Sequence, residues 1–198
     1  MNVVFDFGGV VFRWAPEELA AEVFFDVNDQ RMAIEGIFNH QDWLELDRGT
    51  LSRDDAVKRA AQRTGLEILK VDALFKLVPS RLVPFTDIID LLYRLKGKGH
   101  KLFVLSNMHK ESIEYLEATN SFLKIFDGMV ISCRLHLIKP EPGIYHYLLD
   151  TYRLNPRETV FIDDMERNIM AAAHLGMVTI TFENKIQCER QLKAIGCL

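Results

Sequence analysis

Four short runs of almost uninterrupted apolar residues, each ending at a polar or turn-forming one, constrain this chain more than any other feature. They are Val3 to Phe7, Lys101 to Leu105, Thr159 to Ile162 and Val178 to Phe182, with a weaker fifth at Gly128 to Ile131. A strand with one face in water alternates polar and apolar residues, whereas a strand covered on both faces does not. Helical patterns lie between most of these runs. Thr86 to Lys96 puts Ile88, Ile89, Leu91, Leu92 and Leu95 on one face; Glu111 to Thr119, Pro142 to Tyr152 and Arg167 to Leu175 behave alike. Gly176 closes the last as its expected C-terminal stop. Strands alternating with helices predict an α/β fold with an open, doubly wound parallel sheet.

One interval breaks the alternation. Roughly 90 residues separate Phe7 from Lys101, where an ordinary βα connection takes only a few. Within it, Glu17 to Phe25, Asp29 to Asn39, Arg53 to Thr64 and Ile68 to Leu77 read as helices, with Ser52 and Asp55 as an N-terminal cap. The chain therefore reads as an α/β core, 1–14 and 82–198, carrying an all-helical unit, 15–81. Trp14-Ala15-Pro16 and Pro79 to Pro84 are the expected hinges. With 48% apolar residues in 198, a buried core is affordable. A net charge of −4 argues against a nucleic-acid or membrane-surface partner, and no apolar run reaches the length that spans a bilayer. Three cysteines without CxxC spacing suggest neither a disulfide framework nor a zinc site, and the N-terminus does not read as a signal peptide. A cytoplasmic protein is expected.

In open parallel sheets the reactive edge lies beyond the carboxyl ends of the strands. Asp6 ends the first run, Ser106 and Asn107 the second, and Asp163 and Asp164 the fourth, while Lys139-Pro140 follows the weaker run after a loop. All four groups thus fall on one edge. Three carboxylates against one ammonium leave two negative charges in a single crevice, which calls for a cation or a retained proton. Hard oxygen ligands without His or Cys favour Mg²⁺. With such a cation bound, a phosphate could approach a carboxylate nucleophile, its oxygens held by Ser106, the Asn107 backbone and Lys139. Phosphoryl transfer through an aspartyl-phosphate suits such a site.

Phe5-Asp6-Phe7-Gly8-Gly9-Val10, Val104-Leu105-Ser106-Asn107, Lys139-Pro140 and Phe161-Ile162-Asp163-Asp164 resemble the four ordered motifs of the haloacid dehalogenase superfamily. The helical insertion resembles its C1-type cap. The resemblance implies Asp6 as nucleophile, Ser106 and Asn107 as phosphate ligands, and Lys139 as the neutralising cation. It implies that Asp6, the Gly8 carbonyl, Asp164 and Asp163 hold Mg²⁺. It also exposes a departure: the position two after the nucleophile, an acid–base aspartate in most phosphatases of the superfamily, is Gly8 here. Losing such assistance typically costs about 10²–10⁴-fold, least when the leaving oxygen is already a good one. This Asp-x-Gly form resembles a branch that includes α-glucose-1-phosphate phosphatases, so a sugar 1-phosphate is the expected substrate among small phosphomonoesters.

His109, just past Ser106-Asn107, is a candidate replacement acid or base. Arg13, Trp14 and Trp43 are further candidates for substrate selection, although a tryptophan is more often a core anchor. Asn168, four residues after Asp164, is expected to support the site from behind. Two rival readings stand beside the phosphatase. One is a 2-haloacid dehalogenase, which the paired Asp163-Asp164 disfavours. The other is a catalytically weak protein that binds a phosphorylated metabolite.

Overall fold

A computed structural model describes residues 1–198. Five strands form one parallel sheet: β1 (Asn2–Phe5), β2 (Lys101–Ser106), β3 (Gly128–Ile131), β4 (Thr159–Asp163) and β5 (Val178–Thr181), in the order β3-β2-β1-β4-β5. The order reverses at β1, so the crevice between β1 and β4 is the switch point where such sheets bind ligands. Both faces are covered, which explains the unbroken apolar runs. Val3 and Phe5 pack with Ile88, Leu91 and Leu92 of α6 (Thr86–Gly97) and Ile113 of α7 (Lys110–Thr119). Leu192 of α11 (Lys185–Ala194) joins that layer. Val4, Phe103 and Phe161 face the other way, onto Tyr145 and Leu148 of α9 (Pro142–Tyr152) and Ile169 and Ala172 of α10 (Glu166–His174). A short α8 (Ser132–Leu135) follows β3.

Between β1 and α6 lie five helices: α1 (Pro16–Val23), α2 (Val27–Ala33), α3 (Gln41–Arg48), α4 (Arg53–Thr64) and α5 (Ile68–Arg81). They share an apolar cluster of their own, built on Leu19, Ile37, Trp43, Val57, Leu74 and Val78. Trp14 touches both this cluster and the sheet layer. Several expectations about this region need correction. The first helix stops at Val23 rather than Phe25, because Asp26 turns the chain and caps α2, accepting from the Asn28 and Asp29 N–H groups. The stretch expected as one helix to Asn39 changes at Ile34 to a wider π turn, Ile34–Phe38. α5 does not end before Pro79 but runs through it to Arg81, so Pro79 lies in a helix rather than in a hinge.

α3 and α11 have no counterpart in the expected elements. For α3 the start signal is unusual: the His40 ring, not a Ser or Asp oxygen, accepts from the Asp42 N–H. Gly49, at φ +79°, then ends the helix in the left-handed conformation that glycine adopts without strain. No helix is long and apolar enough to cross a membrane.

Candidate active site

β1 delivers Asp6 to the switch-point crevice, where its own N–H is tied to the Ile162 carbonyl of β4 at 2.9 Å. Lys139 arrives from the loop before α9 and is 1% exposed. Its ammonium lies 2.8 Å from Asp6 Oδ2 and donates to Asp163 Oδ2 at 2.6 Å. Asn107 fixes that loop from the end of β2: its Nδ2 donates to the Lys139 carbonyl at 3.0 Å, and its Oδ1 accepts from the Lys139 N–H at 2.8 Å. The Asn107 side chain therefore aligns the loop that carries Lys139, a role separate from the phosphate contact expected of its backbone.

Asp163 is fully buried and its oxygens are heavily engaged. Besides Lys139, Oδ1 accepts from the Met165 N–H at 2.8 Å, and the Asn168 amide donates to both oxygens at 3.0 Å. The expectation that Asp163 helps hold a metal is therefore modified. These bonds make it foremost the anchor that aims Lys139 at Asp6, and Asn168 holds it there. Asn168 is in turn fixed from α9 by the Tyr145 hydroxyl, which donates to its carbonyl at 3.0 Å.

Asp164 is only partly buried and lies against Gly9. A Cβ on Gly9 would come within 2.3 Å of Asp164 Oδ2, and Gly9 sits at φ +77°. Both constraints demand glycine. Gly9→Ala is expected to lower stability by at least about 1 kcal/mol and to push Asp164 aside, seen as a lower urea midpoint. Gly8 lacks this restriction: a Cβ there would meet only Trp14 Cβ, at 3.9 Å.

Electrostatics follow from this packing. Burial pushes Asp6 up to about 7, reinforced by Asp163 and Asp164 and opposed by Lys139. Burial and the Asp163 charge also raise Asp164 above the usual carboxylate range. Burial works against the Lys139 ammonium, but Asp163 and Asp6 outweigh it and hold the group above its ordinary value. Carboxylate oxygens of Asp6, Asp163 and Asp164 come within 4.8 Å of one another. A divalent cation fits such an oxygen donor set, with Asp6 and Asp164 the less occupied partners. Nearby, Ser106 Oγ is completely buried and has no hydrogen-bond partner. Leaving a buried hydroxyl unpaired costs free energy, so its position suits an oxygen supplied by a ligand.

Asp6, Asn107, Lys139 and Asp164 open into a cavity of about 290 Å³ roofed by the inserted helices. Its far wall is aromatic: the Trp14 and Phe38 rings meet edge to face at 5.6 Å, and Phe38 and Trp43 do so at 4.8 Å. Trp14, Trp43 and His109 all line the cavity. Arg13 does not, correcting its assignment to substrate selection: its side chain turns to solvent and pairs with Glu18. His109 is buried, with Nδ1 3.1 Å from Asp47 Oδ1 and Nε2 2.8 Å from Ser112 Oγ. Asp47 and Ser112 were not singled out from sequence. Asp47 sits near the end of α3, two residues before Gly49, and only the three-residue step from His109 to Ser112 hints at a pairing in the sequence.

The Asp6 carboxylate is thus buried beside Lys139 at the switch point of a parallel sheet. The pattern of haloacid dehalogenase-like hydrolases matches residues 53–182, and the chain belongs to that family. It is 27% identical to the sesquiterpene phosphatase astK of Aspergillus oryzae, over 98% of this chain and 96% of that protein. A 44% identity to bifunctional epoxide hydrolase 2 of Mus musculus covers 51% of this chain, which spans only 19% of that longer protein. Among solved structures, a family enzyme of Bacteroides thetaiotaomicron in complex with magnesium and inorganic phosphate superposes with a TM-score of 0.74. The two are 25% identical, over 92% of this chain and 93% of that one.

Proposed function

We propose that this chain is a Mg²⁺-assisted phosphoric monoester hydrolase acting on a small phosphorylated metabolite through an aspartyl-phosphate on Asp6. The observation that carries the reading is one crevice holding the Asp6–Lys139 pair and two further carboxylates, with the unpartnered Ser106 hydroxyl at the end of the adjoining strand β2. Asp6 Oδ attacks phosphorus and the alcohol leaves; water then cleaves the acyl phosphate and restores the carboxylate. Ser106, the Asn107 backbone and Lys139 hold the phosphoryl oxygens. Lys139 keeps the nucleophile ionised and offsets charge that builds on those oxygens in the transition state. Asp6, Asp164 and the Gly8 carbonyl, with Asp163 behind them, would hold the cation, which supplies charge neutralisation between nucleophile and phosphate when bound. The inserted helices roof the cavity and exclude bulk water while substrate is present. The magnesium and phosphate in the Bacteroides structure support this reading.

A sugar 1-phosphate fits the missing acid at Gly8, since its leaving oxygen needs little help. The cavity wall supports a second reading. Trp14, Phe38, Trp43, Leu44, Val78 and Leu82 present apolar surface to whatever the phosphate carries, which favours an apolar alcohol. The sesquiterpene phosphatase relative supports that choice. Phosphate release should be measured from an aryl phosphate, hexose 1- and 6-phosphates and a prenyl monophosphate, with Mg²⁺ and with chelator. Release that requires Mg²⁺ is expected, and preference among the esters decides the alcohol. Halide release from a 2-haloacid without Mg²⁺, or ligand-induced stabilisation with no turnover, would overturn the reading.

A further inference from the structure

The phosphatase reading leaves the leaving oxygen without a proton donor, because Gly8 has no side chain. Resting on that reading, we infer that the Asp47–His109–Ser112 chain supplies this proton. Three observations support the assignment. First, all three residues line the cavity that contains Asp6, yet each is at least nine-tenths buried. Second, the three side chains are linked end to end: the Asp47 carboxylate faces Nδ1 at 3.1 Å, and Nε2 faces the Ser112 hydroxyl at 2.8 Å. A carboxylate behind Nδ1 fixes the ring's tautomer and compensates its positive charge, leaving Nε2 to exchange a proton with the hydroxyl. Third, the chain is braced on both sides. Ser132 Oγ donates to the Asp47 carbonyl at 2.5 Å and accepts from the Met108 N–H at 2.9 Å, while Trp43 packs edge-on against the His109 ring at 5.4 Å.

The remaining ionisable groups of the cavity are less suited to the task. Asp6, Lys139 and Asp164 belong to the proposed nucleophile and its charge balance, and the Arg167 guanidinium offers hydrogen-bond donors and charge rather than an acid–base pair.

The proton balance is simple. As the ester P–O bond breaks, its electron pair stays on the leaving oxygen, which takes the Ser112 hydroxyl proton. Ser112 in turn takes the Nε2 proton of the His109 imidazolium, leaving neutral imidazole against Asp47. In the second half-reaction the attacking water returns a proton along the same path, and the imidazolium is restored. Ser112 touches the reacting oxygen, while His109 and Asp47 are positioning residues behind it.

Leaving-group dependence separates this role from a structural one. An aryl phosphate leaves without protonation, whereas an alkyl phosphate needs it. In His109→Gln and in Ser112→Ala, alcohol release in the first turnover of an alkyl phosphate is expected to slow by roughly 10²-fold, while first-turnover release of the phenol from an aryl phosphate, which precedes the shared water step, stays within about threefold of wild type. Gly8→Asp, whose Cβ would meet only Trp14 Cβ at 3.9 Å, is expected to restore alkyl turnover in the His109→Gln background. Equal losses on both esters, or no loss on either, would overturn the proposal, as would failure of Gly8→Asp to rescue. If the wild type hydrolyses neither ester, the phosphatase reading itself fails and the proposal falls with it.

Discussion

Asp6→Asn is expected to lower phosphate release by on the order of 10⁴-fold or more, because an amide oxygen is far too weak a nucleophile to form the covalent intermediate proposed on Asp6. The same substitution should raise stability in metal-free protein at alkaline pH. Asp6 is held at about 7 in the folded protein, above the 3.8 of an exposed aspartate. A folded state that binds the proton more tightly than the unfolded chain loses stability as pH climbs through that interval, and the full cost is present above it. Asparagine removes the ionisation. In chelator, Asp6→Asn should therefore melt above wild type at pH 8, with the gap closing toward pH 4. A variant that is less stable than wild type at pH 8 would contradict this account of the crevice.

The second large effect concerns Lys139. Its ammonium is 1% exposed and compensates Asp6 and Asp163 at 2.8 and 2.6 Å. Lys139→Met keeps the bulk but leaves two buried carboxylates facing each other. Removing one member of a buried ion cluster commonly costs about 3–5 kcal/mol, since the remaining charge is stranded. That loss is expected at pH 8 by urea denaturation, together with loss of phosphate release. It should shrink toward pH 5, because the stranded carboxylates regain neutrality by taking up protons in the folded state. Stability unchanged at pH 8 would mean that the cluster is not held together by this charge.

Much of this arrangement was legible in the residues, for identifiable reasons. A parallel strand covered on both faces leaves an apolar run, and its carboxyl end fixes where the next polar residue points. Asp6, Ser106, Asn107 and Asp163 are therefore placed on one edge by the sequence pattern alone. Division of labour within the cluster was not legible. Asp163 and Asp164 are adjacent and chemically identical, and only the bonds from Lys139, Met165 and Asn168 distinguish an anchor from a more open carboxylate.

The inserted helices were harder to read. α3 begins with a histidine cap rather than Ser, Asp or Asn, so its start carried no familiar signal. The pairing of Asp47 with His109 crosses from the inserted unit to the core, 62 residues apart in sequence. No local pattern encodes such a contact. Arg13 failed for the opposite reason: proximity to Asp6 in sequence suggested the cavity, but Glu18, in the first turn of α1, takes the guanidinium at the surface.

The central claim is that Asp6 becomes phosphorylated. Acid-quenching wild type during its first turnovers of an aryl phosphate in Mg²⁺, followed by peptide mass spectrometry, tests it most directly. A phosphoryl adduct on Asp6 that decays as phosphate appears is the predicted result. Phosphate release with Asp6 unmodified throughout, or an adduct on another residue, would contradict it.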